Sequence, residues 1–201
     1  MSAPVEFYFD FSSPYGYLAS HKIDALAAKY GRTADWRPML LGVAFKQTGG
    51  APLTAIPLKG DYSKRDMLRS ARFHGVDDFR IPSVFPVSTQ AAARITLWAK
   101  ARDPALAVRV AKALYRGYFA EDRDISNADA AADIAVGAGA ERALARAAID
   151  DVAIKDALRR EVDGAIARGV FGSPFVFVDG EPFWGLDRFD QVERWLATGA
   201  F

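Results

Sequence analysis

The sequence contains no cysteine, and this absence removes several kinds of chemistry at once. Without a thiol the chain cannot form a disulfide, bind zinc or an iron–sulfur cluster through sulfur, or use a cysteine nucleophile. Only two histidines are present, His21 and His74, so we do not expect a metal site built from several histidines. A Ser-His-Asp triad stays open, with few candidates for its histidine. We therefore expect no bound metal.

Strong charge and long apolar runs are also missing. The 201 residues carry 26 Lys and Arg against 25 Asp and Glu, a formal net charge of +1, which argues against nucleic-acid binding. The N-terminus shows no basic stretch followed by an apolar one, and no run reaches the roughly 18 apolar residues of a membrane span. We expect a soluble, cytoplasmic protein with no membrane association. Hydrophobic residues make up 51% of the chain, which is enough for a core.

The first forty residues predict a β-α-β unit. Residues 4–11 are aromatic and β-branched, as is typical of a strand. Ser12-Ser13-Pro14 is a typical helix start, and the spacing of apolar residues predicts one helix over Tyr15–Tyr30. Residues 33–38 predict a second strand, which a right-handed crossover would place parallel to the first.

The middle of the chain changes character twice. Residues 39–62 are rich in glycine and proline and are long for a simple connection, so we interpret them as a functional loop. Residues 63–75 favour a helix, and the prolines between Ile81 and Pro86 favour an extended path. Alanine-rich segments with helical spacing follow, and they predict helices near 88–102, 104–120, 127–137, 141–149 and 151–168.

Strand character returns near the C-terminus. Residues 174–178 predict a strand, Asp179-Gly180 a hairpin turn and 181–184 the partner strand. A last helix is predicted from Leu186 to Ala197. The order β-α-β, helical block, ββα is that of a thioredoxin-like domain interrupted by a helical insertion.

Two serines next to prolines are candidates for chemistry. Ser13 would lie at the start of the first helix, where free N–H groups favour an anion and its hydroxyl offers a further donor. The alternative is that Ser13 only caps the helix. Ser173 precedes Pro174 at a strand entry; if that bond is cis, the Ser173 backbone is exposed to pair with a peptide-like ligand. The alternative there is an ordinary turn.

Two charged residues are further candidates. Lys59 is an isolated cation on the glycine-rich segment, and it is either a partner for a ligand carboxylate or a solvated surface lysine. Asp187 near the start of the last helix either caps that helix or pairs with a ligand ammonium group.

Three segments together carry a family resemblance. They are Ser13-Pro14-Tyr15, Gly49-Gly50-Ala51-Pro52 with Lys59-Gly60, and the long run from Phe171-Gly172-Ser173-Pro174 to Gly185-Leu186-Asp187-Arg188. Over essentially its whole length the chain resembles the 2-hydroxychromene-2-carboxylate isomerases and the related kappa-class glutathione transferases. This resemblance implies an α/β fold of DsbA type: a thioredoxin-like domain of residues 1–62 and 169–201, with a large all-helical insertion of residues 63–168.

The resemblance also implies a cofactor. Ser13 stands where DsbA-type proteins have the first cysteine of their redox turn, and Gly16 stands where they have the second. The reactive sulfur would therefore come from bound glutathione, with the Ser13 hydroxyl as its hydrogen-bond partner. Lys59 would bind the glycyl carboxylate, Ser173 the cysteinyl part and Asp187 the ammonium group. The resemblance assigns glutathione binding to Ser13, Pro14, Tyr15, Lys59, Ser173, Pro174, Leu186 and Asp187.

The activity that this resemblance implies is a glutathione-dependent isomerisation. It would convert 2-hydroxychromene-2-carboxylate to trans-o-hydroxybenzylidenepyruvate in the breakdown of aromatic compounds of the naphthalene type, with Ser13 as the catalytic residue. Arg37 and Lys46 are candidates for binding the substrate carboxylate, and a homodimer is expected. Two other functions stay open: a kappa-like transferase or peroxidase that consumes glutathione, and a binding protein without activity. Relatives usually have an apolar residue where this chain has Ser173.

Overall fold

A four-stranded mixed sheet lies at the centre of the computed structural model, which describes residues 3–201. Residues 1 and 2 of the predicted thioredoxin-like domain lie outside the described residues. In chain order the strands are β1 (Val5–Phe9), β2 (Ala34–Pro38), β3 (Phe175–Val178) and β4 (Glu181–Trp184). Their order across the sheet is β2-β1-β3-β4; β2 runs parallel to β1, and β3 and β4 are antiparallel to their neighbours. The predicted thioredoxin-like α/β fold is confirmed.

Alternation along β1 divides the core between the two faces of the sheet. Phe7 and Phe9 lie on one face and are fully buried, and Trp36 of β2 packs edge-on against both rings. Tyr8 points to the other face, where its ring packs edge-on against Phe177. Burying an aromatic side chain of this size stabilises the fold by about 1.5–3 kcal/mol. Both faces of the sheet are therefore covered, as the aromatic composition of the strands predicts.

The helices connect β1 to β2, fill the long segment between β2 and β3, and follow β4. They are α1 (Pro14–Ser20), α2 (Ile23–Lys29), α3 (Leu41–Thr48), α4 (Lys59–Phe73), α5 (Gln90–Lys100), α6 (Pro104–Phe119), α7 (Ala128–Gly137), α8 (Arg142–Asp150), α9 (Val152–Ala167) and α10 (Phe189–Thr198). The last five helices of the insertion follow the predicted positions within a few residues. The division of the chain at 62/63 and 168/169 stays a prediction.

The prediction of one helix over Tyr15–Tyr30 is wrong, because the chain forms α1 and α2 with a break at His21 and Lys22. The Ser20 hydroxyl donates to the carbonyl of Tyr17 at 2.6 Å and competes with the backbone bond that would continue the helix. The N–H groups of residues 21 and 22 instead bond three residues back, which tightens the turn. The helix that follows β1 is therefore only seven residues long.

The predicted loop 39–62 is also partly helical. Helix α3 occupies Leu41–Thr48 and ends at Gly49, whose φ of 69° is the left-handed conformation that glycine adopts freely. Helix α4 begins at Lys59, four residues earlier than the sequence predicts. The glycine and proline residues mark the ends of these helices rather than one continuous loop.

Candidate active site

Ser13 lies between two hydrogen-bonding groups at the carboxyl end of β1. Its Oγ accepts from the N–H of Gly16 at 3.0 Å and caps α1. Because a carbonyl only accepts, the Ser13 hydroxyl donates its proton to the carbonyl oxygen of Ser173, at 2.7 Å. The capping interpretation of Ser13 is therefore confirmed, and Ser13 also contacts the other predicted serine, 160 residues away.

Asp10, which the sequence analysis did not select, organises the turn before Ser13. Its carboxylate is buried and accepts from the N–H of Ser12 at 2.7 Å and from the N–H of Leu41 at 2.6 Å. The second bond satisfies the start of α3, which has no capping side chain of its own. Burial raises the pKa of Asp10, and the donors around the carboxylate oppose that rise. One side chain thus fixes the turn and α3 relative to each other.

A second unpredicted residue, Tyr115 of α6, reaches the same turn from the helical insertion. Its hydroxyl is fully buried and donates to the carbonyl of Asp10 at 2.8 Å. The N–H of Asp10 donates to Oγ of Ser173 at 3.0 Å. The Ser173 side chain, which is unusual before this proline in the resembled family, therefore has the Asp10 N–H as its partner here. The Ser173–Pro174 peptide bond is cis.

Gly16 is enclosed by these same residues. A Cβ at this position would lie 2.6 Å from the Tyr115 hydroxyl oxygen and 2.8 Å from Oγ of Ser173. Tyr115 is fully buried and cannot move aside without disturbing its bond to Asp10. The residue in the place of a second redox cysteine must therefore be glycine in this packing.

Tyr15 links the centre of the site to α4, and Lys59 lies at the first turn of that helix. The Tyr15 hydroxyl donates to Oδ2 of Asp66 at 2.5 Å. Lys59 is exposed and forms no ion pair with any other part of the described chain. The turn before it is tight: Leu58 has a φ of 66°, and the N–H of Lys59 donates to the carbonyl of Pro57 at 2.8 Å, which makes a γ-turn. The structure thus places a free cation at a rigid turn.

The C-terminal candidates lie in a short turn beside α1. Leu186 is buried in the short 3-10 turn Leu186–Arg188, which packs beside α1. Asp187 is exposed, and its carboxylate forms an ion pair with Arg188 at 2.8 Å. A ligand ammonium group would compete with Arg188 for this carboxylate. The segments that contain Lys59 and Asp187 both pack against α1.

Arg37 is surrounded by carboxylates. Its guanidinium forms ion pairs with Asp35 at 2.8 Å, Glu161 at 3.1 Å and Glu6 at 3.3 Å. A substrate carboxylate would have to compete with these three partners, and the predicted role of Arg37 stays a prediction. Lys46 is exposed on α3 and forms no ion pair within residues 3–201, so its role stays a prediction.

Aromatic side chains border the cis-proline segment. The indole of Trp184 packs edge-on against Phe171, with ring centroids 4.8 Å apart, and it covers Gly172 so closely that a Cβ there would overlap it. Phe171 and Trp184 remain 42% and 54% exposed. Phe171 lies two residues before Ser173, and Trp184 lies on the strand that pairs with the segment after Ser173, so both rings leave apolar surface near it. Such a surface suits a flat aromatic ligand.

Sequence patterns contained partial signals for the two unpredicted residues. Asp10 is an acid at the end of a largely aromatic strand, two residues before Ser12, and a buried acid at that position needs donors nearby. Tyr115 lies in an aromatic stripe that is typical of a helix core, and nothing local distinguishes its hydroxyl from that of Tyr118. Only the fold brings Tyr115 to Asp10.

Within residues 3–201, no group of three or more His, Asp or Glu side chains is arranged to hold a metal ion. No helix in that part of the chain has both the length and the apolar character needed to span a bilayer.

Comparison with known proteins agrees with the thioredoxin-like fold. Residues 4–197 match the DsbA-like thioredoxin domain, and the chain belongs to that family. It is 31% identical to the 2-hydroxychromene-2-carboxylate isomerase of Sphingobium xenophagum, over 98% of this chain and 99% of that protein. It is 28% identical to glutathione S-transferase kappa 2 of Caenorhabditis elegans, over 96% and 91% of the two chains. A solved 2-hydroxychromene-2-carboxylate isomerase superposes with a TM-score of 0.81 at 27% identity, covering 97% of this chain and 95% of that one. The predicted family resemblance is confirmed, and enzymatic activity follows at the level of the family.

Proposed function

We propose that this protein is a glutathione-dependent isomerase that converts 2-hydroxychromene-2-carboxylate to trans-o-hydroxybenzylidenepyruvate. The observation that carries the proposal is the pairing of Ser13 with Ser173 in a site where the chain supplies no thiol. The 31% identity to a named isomerase along almost the whole chain supports the same reaction. The chemistry needs a sulfur nucleophile, which glutathione would supply beside Ser13.

The residues present fit glutathione by their chemical types. Ser173 has a backbone N–H that makes no hydrogen bond within residues 3–201, beside a carbonyl held by Ser13 alone. Such a pair of groups matches the main chain of a short peptide. Lys59 offers a free cation for a carboxylate, and Asp187 offers a carboxylate for an ammonium group. Cation, peptide edge and anion thus match the three parts of the tripeptide.

Glutathione, when bound, would supply the thiolate that adds reversibly to the conjugated double bond of the ring-opened substrate, so that the bond can rotate. The Ser13 hydroxyl would stabilise the negative sulfur by donating to it. Phe171 and Trp184 would cover the aromatic ring of the substrate and exclude water. Nothing is oxidised or reduced, and the thiol is regenerated at the end of each cycle.

The test is spectroscopic turnover with and without glutathione. We expect the purified protein to isomerise the substrate only when thiol is present. The Ser13→Ala variant should be about ten- to a hundredfold slower, the loss expected for one hydrogen bond to a charged group. Ser126→Ala, a change of the same type at an exposed serine far along the chain, should leave the rate unchanged. Full turnover without thiol, or an unimpaired Ser13→Ala variant, would reject the proposal.

A kappa-like transferase is the second candidate, and the 28% identity to the Caenorhabditis elegans transferase favours it. It would use the same thiolate but would leave sulfur bonded to the product. Incubation with an electrophilic aromatic compound distinguishes the two, because a transferase consumes glutathione stoichiometrically and an isomerase does not. The homodimer and the cytoplasmic location stay predictions.

A further inference from the structure

The Ser13 hydroxyl has one proton, and the structure shows where that proton is engaged. Oγ accepts from the N–H of Gly16, so its own hydrogen is directed to the carbonyl of Ser173 at 2.7 Å. A hydroxyl donates one hydrogen bond at a time. Ser13 therefore cannot donate to a ligand sulfur while it donates to Ser173.

Rotation of the hydroxyl towards a ligand has a cost at Ser173. Ser173 is half-buried, Ser13 beside its carbonyl is 4% exposed, and no other group within residues 3–201 donates to that carbonyl. A carbonyl left without a donor in such a place is unfavourable. The rotation becomes favourable only when a new donor takes over the Ser173 carbonyl.

A peptide ligand supplies that donor. The N–H of Ser173 is without a partner in the described chain, so Ser173 presents both backbone groups of one residue to a ligand. A ligand residue pairing antiparallel with it would donate its own N–H to the Ser173 carbonyl and accept from the Ser173 N–H.

We propose that the ligand amide switches Ser13: the cysteinyl N–H of glutathione replaces the Ser13 hydroxyl at the Ser173 carbonyl and frees that hydroxyl to donate to the sulfur. This inference rests on the proposed use of glutathione and adds a requirement to it. The site stabilises the thiolate only of a ligand with an amide N–H at the cysteinyl position. With a simple thiol in the site, the Ser13 hydroxyl would still donate to the Ser173 carbonyl and would not stabilise the thiolate.

The test uses two ester analogues of glutathione, each with oxygen in place of one amide N–H. One lacks the cysteinyl N–H, and the matched control lacks the glycyl N–H. The pKa of the bound thiol is measured for each at saturation from the ultraviolet absorbance of the thiolate. We expect glutathione and the glycyl ester to show equal, lowered values, and the cysteinyl ester to have a pKa about one to two units higher.

Variants at Ser13 assign the effect to its hydroxyl. In Ser13→Ala the three ligands should have the same bound-thiol pKa, because no hydroxyl is left to switch. Ser13→Thr keeps a hydroxyl and a helix cap and should restore the difference. Thermal melts of both variants serve as the control that each is folded.

The outcomes separate the two proposals. If glutathione itself does not bind or its thiol pKa is not lowered, the proposed function and the switch both fail. If glutathione binds with a lowered thiol pKa, but the thiol pKa of the cysteinyl ester is lowered equally and Ser13→Ala raises both values by the same amount, the switch alone is overturned.

Discussion

The centre and the rim of the candidate site are built on opposite principles. At the centre, Asp10, Ser13, Tyr115 and Ser173 are joined by hydrogen bonds of 2.7–3.0 Å that connect β1, the cis-proline segment and α6. At the rim, Lys59 is exposed without an ion pair in the described chain, and Asp187 is paired only with its neighbour Arg188.

This difference shows that the centre and the rim of the site have different roles. Groups near the reacting atom need fixed positions, and burial with full hydrogen bonding provides them. Groups that bind the ends of a flexible ligand tolerate motion, and exposed charges are weaker but adaptable. Substitutions at the centre should therefore cost stability, whereas substitutions at the rim should change only affinity.

The largest effect is expected from Asp10→Ala. The variant removes the acceptor of two backbone N–H groups and of the Ser12 hydroxyl, which should lower the free energy of unfolding by about 3 kcal/mol. Urea denaturation measures it. Asp163→Ala, at an exposed position of α9, is the matched control and should change the value little. A loss no greater than that of the control would contradict a central role for Asp10.

The pH dependence of stability sharpens the same point. Because burial raises the pKa of Asp10 in the folded chain, the folded state holds this proton at a pH where the unfolded state has lost it. The contribution of Asp10 to the free energy of unfolding therefore falls as pH rises from the ordinary carboxyl range through the raised value. The gap between the wild type and Asp10→Ala should narrow over that window. A gap that widens with pH would show that the Asp10 pKa is lowered.

Gly16→Ala should cost about 2 kcal/mol of stability, because the new methyl group meets the Tyr115 hydroxyl and the Ser173 side chain. Gly42→Ala in α3 is the matched control, since a Cβ there meets nothing within 4 Å. That change should instead stabilise the chain by about 0.5–1 kcal/mol, because alanine has less backbone freedom to lose. Thermal melts of the two variants should thus move in opposite directions. Equal shifts in melting temperature would show that the space around Gly16 accommodates a methyl group.

The smallest effect is expected at the rim. Lys59→Ala should raise the glutathione KM about two- to fivefold, the range of one exposed ion pair, and leave kcat and stability unchanged. The effect should shrink at high salt. Lys46→Ala, which removes an exposed lysine that forms no ion pair within residues 3–201, is the control and should leave the glutathione KM unchanged. A kcat loss in Lys59→Ala would place this lysine at the centre instead.

Local sequence patterns predicted the regular parts of the fold well. The insertion helices α5 to α9 have strong helical spacing, and the side chains of Asp103, Asn127 and Asp151 cap three of them. The hairpin of β3 and β4 follows from its Asp-Gly turn. These elements depend on neighbours within a few residues, which a sequence displays directly.

Most of the parts that were missed depend on distant contacts. The break between α1 and α2 is the exception, because it follows from a local bond of the Ser20 side chain to Tyr17, which competes with an otherwise favourable helix. The start of α3 is satisfied by Asp10, 31 residues away. At the site, Ser13 and Ser173 follow from the family resemblance, but the link through Tyr115 crosses 105 residues and has no local signal.

The enclosure of Gly16 also bears on redox chemistry. Introducing a dithiol into this turn requires more than two cysteines, because the Cβ of the second would meet Tyr115 and Ser173. At least one of these neighbours would have to change at the same time, and each holds Asp10 in place. Making room for the second cysteine would therefore disturb the turn that Asp10 organises. The packing around one glycine thus makes this turn incompatible with disulfide exchange.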